Sequence, residues 1–157
     1  MIRPFCNDDM DAVIRLWLEA SVQAHFFIAP EYWEAEAADM RELYLPVSDE
    51  IVVHADDATG EVDAFFAFVD TFLAALFVAP GAQGMGLGSR LFRIARRMHP
   101  DLSLCVYREN ERAVAFYRKQ GLSVLERRVE RKTGHEELIM GFAQGPAGEE
   151  TPARTVD

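Results

Sequence analysis

Several common footholds for chemistry are scarce in this sequence. Only Cys6 and Cys105 carry thiols among 157 residues, with no CxxC pair and no ligand spacing around them. That count suits a reducing compartment and leaves no basis for a disulfide framework. The four histidines, His25, His54, His99 and His135, are too scattered to suggest a metal site. Positive charge is also in short supply: 16 Lys and Arg stand against 26 Asp and Glu, for a net charge of −10. Neutralising phosphates takes clustered Lys and Arg, so a nucleic-acid partner is not expected. The acidity fits solubility first, and more weakly a cationic acceptor drawn in by long-range attraction. No apolar run approaches the roughly 18 residues of a membrane span. The acidic start, MIRPFCNDDMD, lacks the apolar stretch of a signal peptide. Together these absences predict a cytoplasmic location, with no metal, membrane or nucleic acid involved.

What is present is a core. Half of the residues are hydrophobic, enough for one domain of this size to bury about two-thirds of its unfolded surface. No Pro/Gly/Ser-rich linker divides the chain, so a single domain is expected over 1–142. The last stretch, AQGPAGEETPARTVD, has four Gly or Pro residues and almost no large apolar side chains. It reads as a disordered tail over 143–157.

Periodicity supplies the elements. A short strand is expected at 2–5, then a helix capped by Asn7 or Asp8 with Met10, Val13, Ile14, Trp17 and Ser21 on one face. Pro30 starts a second helix that runs through EYWEAEAADMRELYL. Strands follow at 51–55, 61–69 and 72–78, the last apolar enough to be covered on both faces. A glycine-rich stretch opens a helix whose Leu87, Leu91, Ile94, Ala95 and Met98 share a face. A strand at 102–106, a helix from Asn110 to Gly121, and a hairpin of strands at 122–130 and 136–142 complete the order β-α-α-β-β-β-α-β-α-β-β. The pattern is α/β, and the crossover from 72–78 to 102–106 implies a parallel pair.

The strongest local feature is Gln83-Gly84-Met85-Gly86-Leu87-Gly88-Ser89, set between an apolar strand and an amphipathic helix. Glycines there let the backbone approach a ligand, and successive N–H groups at a helix start make an anion site suited to a pyrophosphate. A dinucleotide-binding turn would be G-x-G-x-x-G after the first strand, and a P-loop would need G-K-S/T. Neither is present, and a plain glycine-rich turn is the competing reading. A second feature is NERAVAFYRKQGL, in which Tyr117 lies seven residues after Asn110, two turns along one helix.

The block LFVAPGAQGMGLGSRLFRIAR resembles the acetyl-CoA-binding motif of the GNAT superfamily of N-acetyltransferases, with Gln83, Gly86 and Gly88 at its consensus positions. NERAVAFYRKQGL resembles the next motif of that family. Ala24-His25-Phe26-Phe27-Ile28 further resembles a segment of the small bacterial YjaB-type members, regarded as peptidyl-lysine acetyltransferases. The resemblance covers about residues 2–142. It implies a mixed, largely antiparallel sheet of about seven strands with a central splayed parallel pair and four flanking helices. It also implies transfer of acetyl from acetyl-CoA to a primary amine by direct attack, in a monomer or homodimer. A CoA-binding regulatory module of the same fold is the alternative.

In this scheme backbone groups of Leu76, Phe77 and Val78 meet the pantetheine arm. Gln83, Gly84, Met85, Gly86, Leu87, Gly88 and Ser89 form the pyrophosphate turn. Asn110 bonds to CoA, and Tyr117 is the acid that protonates the leaving thiolate. The chain also departs from the family. Some members carry a Glu base five residues before the motif Asn, where this chain has Cys105. Asp63-Ala64 replaces a usual glycine, leaving the local register open. A free lysine amine has a pKa near 10.4, so some group or water chain must take its proton. His25 is the leading side-chain candidate for the acceptor side, with Phe26 or Phe27 as an apolar wall. A solvent-exposed or capping role for His25 is the competing reading. His54, Asp70, Glu31 and Tyr32 are weaker candidates. His99 and His135, beside turns, read as surface residues.

Overall fold

A computed structural model describes residues 1–143. The tail expected at 143–157 lies, but for Ala143, outside the described residues. The elements follow the expected order: β1 (Ile2–Pro4), α1 (Met10–Ala24), α2 (Pro30–Asp39), β2 (Glu50–Ala55), β3 (Val62–Val69), β4 (Phe72–Val78), α3 (Leu87–Met98), β5 (Ser103–Tyr107), α4 (Glu111–Lys119), β6 (Leu122–Val129) and β7 (Glu136–Phe142). The expected mixed α/β class, with seven strands and four α-helices, is found among the described residues.

The chain forms two compact units, Met1–Pro100 and the part from Asp101 on. In the first, β1, β2, β3 and β4 pair in that order, each antiparallel to the next. The core of this unit is β3. Ala64, Phe65, Phe66, Ala67 and Phe68 are all buried, because β2 and β4 flank the strand and α1 and α3 pack on it. Each fully buried Phe contributes roughly 2–3 kcal/mol of apolar burial. The helix α1 buries Val13, Ile14, Leu16, Trp17, Ala20 and Ser21, which is the expected face with Leu16 and Ala20 added and with Met10 only half-buried. In the second unit the strand order is β5-β7-β6, again antiparallel, with α4 packed against β5 and β6.

Four local expectations are corrected. The start of α1 is not capped by Asn7 or Asp8. A single 3₁₀ turn at Asn7–Asp9 precedes it, and the Asp9 carboxylate reaches back to the Cys6 N–H at 2.9 Å. The second helix is α-helical only to Asp39. It then widens into a π turn at Met40–Tyr44, closed by the Leu45 N–H on the Met40 carbonyl, and the widening buries both Met40 and Leu45. The strand β4 is not covered on both faces, since Leu73 and Ala75 are buried while Ala74 is exposed. Finally, His99 and His135 are not simple surface residues. His99 Nε2 meets Glu50 at 2.5 Å and His135 Nδ1 meets Glu109 at 2.7 Å. Sequence patterns do not show such pairs because the partners are 49 and 26 residues away. The register at Asp63-Ala64, left open by the sequence, pairs Ala64 with His54 and with Val78.

Asp9 gives the fold a pH dependence. It is buried and accepts two bonds from the Arg3 guanidinium, at 2.8 and 2.9 Å. Those bonds hold its carboxyl at about 2, well below the ordinary value. A depressed carboxylate pKa stabilises the fold above the unfolded pKa near 3.9, and the gain is lost as pH falls from there toward 2. Asp9→Asn is expected to cost roughly 1–2 kcal/mol at neutral pH. It should also flatten the acid limb of a stability-versus-pH curve measured by denaturant unfolding. An unchanged acid limb would remove Asp9 from this role.

Candidate functional site

The end of β4 builds the main feature. In the antiparallel ladder with β3, Leu76, Phe77 and Val78 pair with Phe66, Phe65 and Ala64. Alternate N–H and C=O groups of those three residues therefore point away from β3. Pro80–Ala82 makes a 3₁₀ turn, Gln83 is extended, and Gly86 caps α3. The Gln83 side-chain amide folds back and donates to the Val78 carbonyl and to Gln23 Oε1, both at 3.0 Å.

Gly84 and Gly86 hold left-handed backbone, φ 85° and 79°. A side chain there costs about 1–2 kcal/mol. A Cβ at either position would meet no protein atom within 4 Å, so the strain comes from backbone conformation and the space beside the turn is open. Gly84, Met85 and Gly86 are all exposed. The buried Leu87, Leu91, Phe92 and Ala95 anchor α3. Its first intrahelical donor is the Arg90 N–H, which reaches the Gly86 carbonyl at 3.1 Å. The N–H groups of Leu87, Gly88 and Ser89 therefore lie in the first turn, at the positive end of the helix dipole. Exposed glycines, open space and a helix start together fit a pyrophosphate of the CoA type.

Two further expected residues lie in the second unit. Asn110 caps α4, its Oδ1 accepting from the Ala113 N–H at 3.3 Å. That leaves its side-chain nitrogen as the donor end of the amide. Tyr117 stands two turns along, its ring edge-on to Phe116 at 5.2 Å. Burial pushes its hydroxyl above the ordinary tyrosine range, so it is protonated at neutral pH.

His25 ends α1, with its N–H on the Ser21 carbonyl at 3.0 Å. Of the two competing sequence readings, the exposed one fails, because His25 is 7% exposed. Its ring stacks on Trp33 at 4.7 Å and meets Phe27 edge-on at 5.8 Å. Burial lowers its pKa to about 4, against a smaller opposing contribution from the Ser21 carbonyl. His25 is therefore neutral at pH 7. Phe27 is half-buried and packs edge-on to the imidazole, whereas Phe26 is 81% exposed. Of the weaker candidates, Tyr32 stands nearest, edge-on at 5.0 Å to the same Trp33 that stacks on His25; Glu31 is exposed, His54 pairs with Asp63 at 2.5 Å, and Asp70 sits in the left-handed turn between β3 and β4.

Cys105, at the position where some family members carry a Glu, stands beside Glu137. Burial, then the hydrogen bond and charge of Glu137, push its thiol up to about 12. Glu137 is itself held by Arg128 Nε at 2.7 Å. A thiol so disposed is not a nucleophile at neutral pH. Sequence reasoning did not single out Trp33, Gln23 or Glu137. Trp33 was visible only as one more helical aromatic, and the other two act through contacts with no sequence signal. Among the described residues, no group of three His, Cys, Asp or Glu side chains could hold a metal ion.

Comparison with known proteins agrees with this geometry. An acetyltransferase (GNAT) domain matches residues 47–122, a span that includes the glycine turn, Asn110 and Tyr117. The peptidyl-lysine N-acetyltransferase YiaC of Escherichia coli (strain K12) is 35% identical over 127 residues, 80% of this chain and 85% of that protein. The peptidyl-lysine N-acetyltransferase YjaB of the same strain is 29% identical over 80% of this chain and 84% of its own length. The solution structure of apo YjaB from Escherichia coli superimposes with a TM-score of 0.80 at 25% identity, covering 92% of this chain and 98% of that one. A PaiA N-acetyltransferase from Thermoplasma acidophilum, solved with coenzyme A, shares the fold at a TM-score of 0.73 and 18% identity, covering 92% and 98%. The expected GNAT resemblance and the YjaB-type likeness both hold, and the chain belongs to the GNAT family of acetyltransferases.

Proposed function

We propose that the protein transfers acetyl from acetyl-CoA to the side-chain amine of a peptidyl lysine. The observation that carries this reading is the open, left-handed glycine turn at the start of α3. The relatives named for peptidyl-lysine acetylation support the acceptor class. Backbone N–H groups from Gly84 to Ser89 would hold the pyrophosphate, the end of β4 the pantetheine arm, and the Asn110 amide would donate to CoA. When bound, acetyl-CoA supplies an activated thioester. A backbone N–H at the end of β4 would stabilise negative charge building on the carbonyl oxygen as the amine attacks. Tyr117 would give its proton to the departing thiolate, and the proton shed by the attacking nitrogen would pass through water to restore the phenol. Direct attack, with no acetyl group carried on the enzyme, fits a Cys105 thiol that stays protonated.

On the acceptor side, His25 would line the amine cleft with Phe27 beside it. His25→Ala should raise the acceptor KM or lower kcat at least severalfold while leaving acetyl-CoA affinity alone. Its depressed pKa adds a sign: His25 stays neutral from pH 8 down to about 5, so no acid limb near 6.5 should appear in kcat/KM. A limb there that vanishes in His25→Ala would contradict a buried neutral ring. The function itself is tested by incubating the protein with acetyl-CoA and lysine-bearing peptides and following thiol release together with peptide mass.

A further inference from the structure

Gln83 and Gln23 make a contact that the proposed roles do not use. Gln83 Nε2 donates to the Val78 carbonyl and to Gln23 Oε1, each at 3.0 Å. One side chain thus ties together three local elements: the end of β4, the glycine turn, and the last turn of α1. Gln23 is the penultimate residue of α1. The chain continues from it directly into His25, whose N–H is still held by the Ser21 carbonyl, and on to Ile28, whose N–H bonds to the His25 carbonyl at 3.0 Å. The acceptor-side segment and the acyl-donor turn are therefore joined by a side-chain bond within the first unit.

We infer that Gln23 and Gln83 are positioning residues, and that their bond makes the acyl-donor turn and the His25 segment respond to each other's ligand. The inference rests on the proposed assignment of those two ligands. Gln83 uses both amide hydrogens on protein acceptors, so its effect on acetyl-CoA is exerted through the backbone of the turn. Holding Gln83 extended sets where Gly84 and Gly86 begin. Gln23 supplies only an acceptor oxygen. The Gln23 bond is exposed and the Val78 bond part-buried, and neutral hydrogen bonds of this kind move an equilibrium roughly two- to tenfold.

The chemistry of the two ends separates this from a general loss of packing. Gln23→Glu keeps a side-chain oxygen that can accept, whereas Gln83→Glu loses both donors and turns a carboxylate toward two oxygens. Acetyl-CoA affinity by calorimetry, with kcat and KM for a lysine-bearing peptide, should be measured on the full chain. Gln23→Ala should weaken acetyl-CoA roughly two- to fivefold and Gln23→Glu should stay near wild type. Gln83→Ala and Gln83→Glu should weaken it roughly five- to tenfold, since the Val78 contact is lost as well. The double variant Gln23→Ala with Gln83→Ala should be no weaker than Gln83→Ala alone, because the bond can be removed only once. Gln83→Ala should also raise the acceptor KM severalfold, with kcat within about twofold. Wild-type affinity in Gln23→Ala, equal losses in Gln23→Glu and Gln23→Ala, or additive losses in the double variant would overturn the inference and leave the proposed function standing. A wild-type protein that fails to bind acetyl-CoA would overturn both.

Discussion

Gly86→Glu is expected to abolish acetyl-CoA binding in a protein that remains folded. Gly86 caps α3 with φ 79°, so any side chain pays about 1–2 kcal/mol of backbone strain. No clash adds to that, because a Cβ there would meet no atom within 4 Å. The strain is small against the several kcal/mol of a typical domain's stability, so the melting temperature should fall by several degrees without loss of the fold. The ligand side behaves differently. The turn would hold a pyrophosphate with aligned N–H groups and the positive end of the α3 dipole. A glutamate carboxylate placed there competes for those same donors and repels the incoming phosphates. Loss of at least 100-fold in affinity is expected by calorimetry. Gly86→Ala carries the strain without the charge, and should lose far less. Unchanged affinity in folded Gly86→Glu would remove the turn from acetyl-CoA binding.

Tyr117→Phe is expected to lower kcat roughly 10- to 100-fold with little change in acetyl-CoA affinity or melting temperature. A positioned general acid contributes about 10²- to 10⁴-fold, and CoA thiolate is already a fair leaving group, so the effect falls below that range. Phe keeps the ring and its edge contact with Phe116 while removing only the proton donor. The burial that pushes the hydroxyl up has a consequence for pH. The acid stays protonated above the ordinary range near 10, so activity should not fall through that region on account of Tyr117. The loss in Tyr117→Phe should shrink with thioesters of more acidic thiols, which need less protonation. Full kcat in Tyr117→Phe, in a reaction limited by chemistry, would leave the hydroxyl a structural role.

The order of elements was legible because each is short and strongly periodic. The apolar run at 72–78 and the helix face of α3 are the clearest cases, one matching β4 residue for residue. The glycine turn was legible because left-handed backbone at Gly84 and Gly86 needs a residue without a side chain. Asn110 was legible as a cap because its side-chain oxygen can accept a first-turn N–H. What escaped depends on chain-distant contact. The Gln23 to Gln83 bond spans 60 residues, and Glu50 to His99 spans 49. The burial of His25 against Trp33 depends on the turn that joins α1 to α2. The surroundings of Cys105 escaped because β-pairing alone brings Glu137 and Arg128 beside it.

The most direct measurement of the central claim is a single reaction analysed at both ends. The protein, acetyl-CoA and a lysine-bearing peptide are incubated together, free thiol is followed in time, and the intact masses of peptide and protein are read at intervals. Direct transfer predicts one acetyl group on the lysine side chain for each CoA thiol released, and no acetyl group on the protein itself. Thiol release without peptide acetylation, or an acetylated enzyme that forms and decays ahead of the peptide product, would contradict it.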